Sequence, residues 1–308
     1  MANVNKNFNY EKTLKTNTDD SFLNLQSFLY ITSKQITKIL FYTPVTPHQV
    51  ILLSLIFGFA ASYLLIQQNI YLVAAGAVLL FYKNVLDKVD GSLARAKGMD
   101  SRRGRFYDSI SDFLVTLALF TAISYSLFIK YQNPAFFVIG LAAMTFSMLQ
   151  CSFFIYYQVS FIKISGKETI NRLLENVTDE DIKGQDNWTV FLQKVFQVIY
   201  GWQDLIIYQL DMFLKNKFIS NHKIKKSDFD ILWYKNKKFL TLASSLSIGT
   251  HMVLIGLFAL LRSFEVYLFI NLIFMNLLLT CCVIYQYYFI KHKILIKSRS
   301  ATNYTDLH

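Results

Sequence analysis

Proline is nearly absent, with three residues in 308, at positions 44, 47 and 134. Long helices therefore meet few breakers, and a fold of many short Pro-punctuated turns is excluded. Cysteine is equally sparse. Cys151 and the adjacent Cys281 and Cys282 lack the spacing of a zinc site or a disulfide framework and read as small apolar filler. Charged residues make up only 17% against 54% hydrophobic, and mean hydropathy is +0.34, which excludes an ordinary soluble domain. The opening twenty residues are polar and lack the apolar core of a cleavable signal, so the first apolar run is expected to be the anchor. No repeat of solenoid-like period is visible.

What the chain does have is apolar runs of spanning length, about 17 residues or more each. They lie at 49–66, 70–86, 106–129, 135–162, 239–261 and 266–290. The second is short and must borrow length from the charged segment after it. Of 31 Lys and Arg, 26 fall in the N-terminal arm, the loop after the second run, the segment between the fourth and fifth runs, and the C-terminal tail. Only Lys130 and Arg262 remain for the opposite side, with Lys83, Lys88 and Arg95 at the end of the second run. By the positive-inside rule both termini are cytoplasmic. The expectation is an all-α integral membrane protein of six transmembrane helices. The net charge of +11 is spread beside the spans, so it points to anionic lipid and not to nucleic acid.

Residues 21–42 carry apolar side chains at helical spacing and predict an interfacial amphipathic helix before the first span. Residues 163–238 predict a cytoplasmic or interfacial insert between helices four and five, with an aromatic, Lys-bearing helix on the membrane surface; a re-entrant segment is the alternative. The division is therefore an arm at 1–44, helices one to four at 45–162, the insert at 163–238, helices five and six at 239–290 and a tail at 291–308.

Residues 83–112, KNVLDKVDGSLARAKGMDSRRGRFYDSISD, place five carboxylates and seven Lys or Arg between apolar runs. An ionised Asp at a helix centre costs roughly 2.5–3.5 kcal/mol on insertion scales, so several need a shared reason. On a helix, Asp87, Asp90, Gly91 and Ala94 share one face, and Gly104, Asp108 and Asp112 share a face of the next. If the two helices are antiparallel neighbours, four aspartates converge at the cytoplasmic interface. They would repel unless something positive sits among them, and a hard divalent cation suits carboxylate oxygens while leaving positions for phosphate.

This pattern resembles the signature of the CDP-alcohol phosphatidyltransferase family: D, two residues, DG, two residues, AR, eight residues, G, three residues, D, three residues, D. Asp87, Asp90, Gly91, Ala94, Arg95, Gly104, Asp108 and Asp112 match every fixed position and gap. The resemblance implies that Asp87, Asp90 and Asp108 ligate two divalent ions, Mg²⁺ or Mn²⁺, with Asp112 contributing to the second site and serving as the base. It implies that Gly91, Ala94, Arg95 and Gly104 line the pocket of a CDP-linked lipid donor, and that the enzyme is a homodimer. The implied activity is phospholipid biosynthesis, moving a phosphatidyl group from CDP-diacylglycerol to a small alcohol acceptor with release of CMP. Transfer of a phosphoalcohol from a CDP-alcohol to diacylglycerol uses the same motif, and an ion-binding transporter is the reading from another class.

The family often has Asn after the TP that opens the first span, where this chain has Thr46, Pro47 and His48. For an acceptor phosphate the sequence offers Arg102, Arg103 and Arg105, because 131–162, 239–261 and 266–290 contain no Lys or Arg. That absence favours a neutral or zwitterionic alcohol. Tyr156 and Tyr157 are candidates for cation–π contact with an amine, or ordinary interfacial tyrosines.

Overall fold

The structure is a computed structural model that describes residues 7–9, 11–14, 27–166, 170–222 and 226–305. Among these residues all regular structure is helical. The first apolar run begins at a capping box: the Gln49 N–H donates to Thr46 Oγ1, the Thr46 N–H donates to Gln49 Oε1 at 2.9 Å, and Pro47 occupies the first turn. The helix that follows, α2 (Pro47–Leu65), is preceded by α1 (Ser27–Phe41). The part of the expected amphipathic helix before residue 27 lies outside the described residues. Leu29 of α1 is fully buried with Val85, Leu86, Val89 and Leu93, whereas Ile31 and Ile39 stay exposed.

The second run continues much further than its apolar residues. Helix α3 (Ile70–Lys97) spans 28 residues, about 42 Å at 1.5 Å per residue, against a hydrocarbon layer of roughly 30 Å. The charged segment is thus the end of one continuous helix, closed by Gly98 at φ +66°, a left-handed position that suits glycine. Ser101 caps the next helix, α4 (Arg102–Tyr131), by accepting the Gly104 N–H at 3.1 Å. Only residues 98–101 join the two; both helices pack on α2, and their acidic side chains reach toward each other across the gap between them. Helix α5 (Ala135–Ile164) returns to the same side.

The segment that follows α5, before the fifth apolar run, folds onto the bundle. Helix α6 (Asp179–Gly184) is one short turn, and α7 (Asn187–His222) is 36 residues long. Leu192, Phe196 and Ile207 of α7 are buried, whereas Val198 and Phe213 are 80% and 67% exposed, giving one face to α4 and α5 and an apolar face outward. Helix α8 (Lys226–Tyr234) completes an aromatic core in which Phe153, Tyr157, Trp233 and Phe239 are buried together.

The expected fifth span is broken. Helix α9 (Lys237–Ala243) and α10 (Ile248–Leu260) meet at 43° across a 3₁₀ turn. Hydropathy reads straight through this point, but Ser244, Ser245 and Ser247 donate their hydroxyls to Thr241, Leu242 and Ser244 carbonyls at 2.6–2.7 Å and bend the backbone. The last run comprises α11 (Phe264–Phe269), a π-helical stretch (Ile270–Met275) and α12 (Asn276–Thr305). Five described helices are long and apolar enough to cross a membrane, or six if the bent pair is one crossing, as fits a multi-pass membrane protein.

Candidate active site

Helical spacing on α3 and α4 brings three carboxylates together. One oxygen each of Asp87, Asp108 and Asp112 lies within 4.8 Å of the others, and all three residues are partly accessible. Asp90 stands beside this group within electrostatic reach of Asp87, Asp108 and Asp112. It is 4% exposed; its Oδ1 accepts the Gly91 N–H, and its Oδ2 is buried with no hydrogen-bond donor. Acceptor-only oxygens on two rigid helices, one of them buried and unpartnered, are a donor set that fits a hard divalent cation.

The cation that the structure places there is Lys83, which the aspartate pattern does not include. Its side chain is 1% exposed, its Nζ lies 3.4 Å from Asp87 Oδ1, and it donates to Asp112 Oδ1. In sequence Lys83 looks like one more charge at the end of a span. The usable signal was its i, i+4 relation to Asp87 inside an otherwise apolar stretch.

The expected donor-pocket residues lie on the last turns of α3 and the first turn of α4. Arg95 Nε donates to the Thr13 carbonyl at 2.8 Å, so the N-terminal 3₁₀ turn (Glu11–Thr13) sits against it. A Cβ on Gly91 would meet Arg95 Nη1 at 3.3 Å, which shows the guanidinium folded back over Gly91. Ala94 is nearly buried and its carbonyl caps the end of α3. A Cβ on Gly104 would come within 3.2 Å of Ser101 Oγ and 3.7 Å of His48 Nε2, so His48 stands beside this glycine of the motif, edge-on to Tyr107.

Arg102, Arg103 and Arg105 turn toward the insert. Arg102 pairs with Glu175 at 2.7 Å and with Asp181, Arg105 also pairs with Glu175, and Arg103 pairs with Asp186. Phe106 and Phe196 pack beneath the guanidiniums. Burial opposes ionisation of Asp181, but donors from Arg172, Gln193, the Thr178 N–H and Arg102 outweigh it and hold the carboxyl well below its usual range. Glu175 is 1% exposed and serves two arginines. Glu175→Gln is therefore expected to destabilise the protein by about 3 kcal/mol, the lower range for removing one partner of a buried pair. Thermal unfolding in detergent measures it, and an unchanged midpoint would show that the network is dispensable.

Helix α7 crosses this region. Tyr200 donates its hydroxyl to the Ser109 carbonyl at 2.8 Å, and Ser152 of α5 donates to Gln203 at 2.9 Å. Asp204 follows Gln203 on the same helix, and Tyr200 and Cys151 both lie within electrostatic reach of Asp204 and of the aspartate cluster. Burial pushes Asp204 up to about 7, Arg105 opposing and Glu175 adding to the shift. Because the folded pKa exceeds the unfolded value of about 3.9, the folded state retains the proton longer, and stability declines as pH rises from about 4 toward 7. Asp204→Asn is expected to raise the melting temperature at pH 8 and to leave it unchanged near pH 4. Lower stability of the Asn variant at pH 8 would mean that the ionised carboxylate meets a cation in the folded protein.

The tyrosines considered for an amine are engaged elsewhere. Tyr156 donates to Asp211 at 2.9 Å, as do Trp233 at 2.7 Å and Tyr234 at 2.6 Å, while Tyr157 packs edge-on to Phe239 with ring centroids 4.7 Å apart. Asp211 is thus a fully buried carboxylate with three donors that ties α5, α7 and α8 together.

No curated protein matches the chain. A family model described as CDP-alcohol phosphatidyltransferase matches residues 44–176, which hold α2 to α5 and the whole aspartate constellation. The family uses divalent metal, a CDP-alcohol donor and an alcohol acceptor at the membrane. With three of its motif aspartates drawn together between α3 and α4, the chain carries a CDP-alcohol phosphatidyltransferase domain at residues 44–176, which indicates a transferase of that kind and supports a role in phospholipid biosynthesis.

Proposed function

We propose that the protein transfers the phosphatidyl group of CDP-diacylglycerol to the hydroxyl of a small, unphosphorylated alcohol, releasing CMP. The observation that carries this reading is the gathering of Asp87, Asp108 and Asp112 within 4.8 Å at the junction of α3 and α4. These residues and Asp90 would hold two divalent ions, Mg²⁺ or Mn²⁺. Bound there, such ions would polarise the phosphorus and neutralise charge on the departing CMP. The acceptor oxygen bonds to the phosphorus that carries diacylglycerol, the bond from that phosphorus to CMP breaks, and the hydroxyl proton goes to Asp112. Gly91, Ala94 and Gly104 give the nucleotide close access to the helices, and Arg95 contributes its guanidinium to the donor's phosphates.

An acceptor without phosphate is supported by the pairing of Arg102, Arg103 and Arg105. Glu175, Asp181 and Asp186 already take these cations, so an acceptor phosphate would have to displace a carboxylate. In this reading α9 and α10 form one bent crossing, giving six. The amphipathic helix and the insert at 163–238 lie at the cytoplasmic interface with both termini and the active site, and two copies pair as a homodimer. The charge asymmetry supports the orientation.

The test supplies the purified protein with CDP-diacylglycerol tritiated in its acyl chains, with serine, inositol phosphate, glycerol phosphate and choline in turn. The proposal expects tritium in a new phospholipid only with an unphosphorylated acceptor. Product formed solely from labelled CDP-choline or CDP-ethanolamine with diacylglycerol would reverse the assignment of the donor.

A further inference from the structure

Lys83 is buried in the middle of a membrane helix, where a cation is expensive unless it has a purpose. Its backbone is held from both sides. Ser54 of α2 donates to the Lys83 carbonyl at 3.4 Å, and the adjacent Asn84 donates to the Gly249 carbonyl of α10 at 3.1 Å. The side chain therefore cannot withdraw by a small shift of the helix, and its ammonium reaches one aspartate on its own helix and one on α4. Both aspartates belong to the group of three that fits a divalent ion.

An ammonium and a divalent cation seek the same oxygens. Resting on the reading of this cluster as the metal centre, we propose that Lys83 is a built-in competitor for the metal. In the metal-free protein it cancels one of the four negative charges and keeps Asp87 and Asp112 in place across the α3–α4 junction. A divalent ion must take Asp112 from it, so metal affinity is held below what four converging carboxylates would otherwise give. Weak intrinsic affinity makes tight loading depend on further oxygens, which the donor's phosphates supply. Lys83 is in this sense a positioning residue that couples metal occupancy to donor binding.

A merely structural ion pair and a competitor predict opposite signs. In purified full-length protein, Lys83→Met is expected to tighten Mn²⁺ binding at least tenfold, measured by electron paramagnetic resonance of free Mn²⁺. It should also lower the melting temperature without metal and restore it to near the parent value with saturating Mn²⁺. Lys83→Gln, which keeps a hydrogen-bond donor for Asp112 without the charge, carries the same expectation should the Met variant fail to fold. Unchanged or weaker Mn²⁺ binding in the folded variant would overturn the proposal. Asp108→Asn in the same assay separates the two levels. If it leaves Mn²⁺ binding intact, the metal-centre reading itself fails. If it weakens binding while neither Lys83 variant tightens it, only the role of Lys83 is lost.

Discussion

Asp108→Asn is expected to lower CMP release about a thousandfold or more and to weaken divalent-ion binding in parallel. A factor of a thousand corresponds to about 4 kcal/mol of transition-state stabilisation, the scale that bound metal ions supply by neutralising developing charge. Asp108 lies on α4 one turn before Asp112, and its oxygen is within 4.8 Å of Asp87 and Asp112. Amidation removes one negative charge from a cluster whose remaining charges cannot move closer to compensate, because α3 and α4 are fixed by their joint caps at Gly98 and Ser101. Rate and Mn²⁺ affinity measured on one purified preparation provide the check. Loss of rate with unaltered affinity would overturn the reading of the aspartate cluster as the metal centre.

Asp112→Asn is expected to separate binding from turnover. Its carboxylate lies one turn beyond Asp108 on α4, farther from the 98–101 connection, where an acceptor entering from the apolar part of the bundle would meet it first. A positioned base contributes roughly a hundredfold or more, and Asn cannot take a proton. Turnover should fall by at least that factor while CDP-donor binding stays near normal. The structure adds a second reason for the loss, since Asp112 is also the stronger of the two contacts of Lys83. A donor-binding isotherm beside a CMP-release assay reads both quantities. Proportionate loss of donor binding and rate would make Asp112 chiefly a metal ligand.

The convergence of the aspartates was legible because two periodicities and one short loop sufficed. Positions 87, 90, 91 and 94 repeat at helical spacing, and a connection of four residues starts α4 where α3 ends, so that both helices pack on α2 with their acidic side chains turned toward each other. The rank order within the cluster was not legible. Asp87, Asp108 and Asp112 crowd together while Asp90 stands aside with its Oδ2 buried, a difference of side-chain direction that spacing does not encode. Lys83 was hidden because charge counting treats a lysine at the end of an apolar run as a topology marker.

The partners of Arg102, Arg103 and Arg105 lie at least 70 residues away in sequence, in a polar segment without periodic signal. Their pairing with Glu175, Asp181 and Asp186 depends on how α7 folds back across α4, and only packing reveals it. The bend at Ser244–Leu246 was missed for a different reason: hydropathy scores a serine by its polarity and ignores that its hydroxyl competes for backbone carbonyls. The aromatic pair Tyr156 and Tyr157 illustrates the reverse. Surrounded by Asp211, Trp233, Tyr234 and Phe239, they serve the core where the insert docks.

The most direct measurement follows CMP and lipid product together from purified, EDTA-stripped protein in liposomes, with CDP-diacylglycerol and an unphosphorylated alcohol, before and after Mg²⁺ or Mn²⁺ is restored. The predicted result is no CMP without metal and, with metal, CMP and a new phospholipid in equal amounts. Divalent-ion flux through the liposomes with no CMP release from any CDP-linked donor would contradict the account and leave the aspartates as an ion-carrying site.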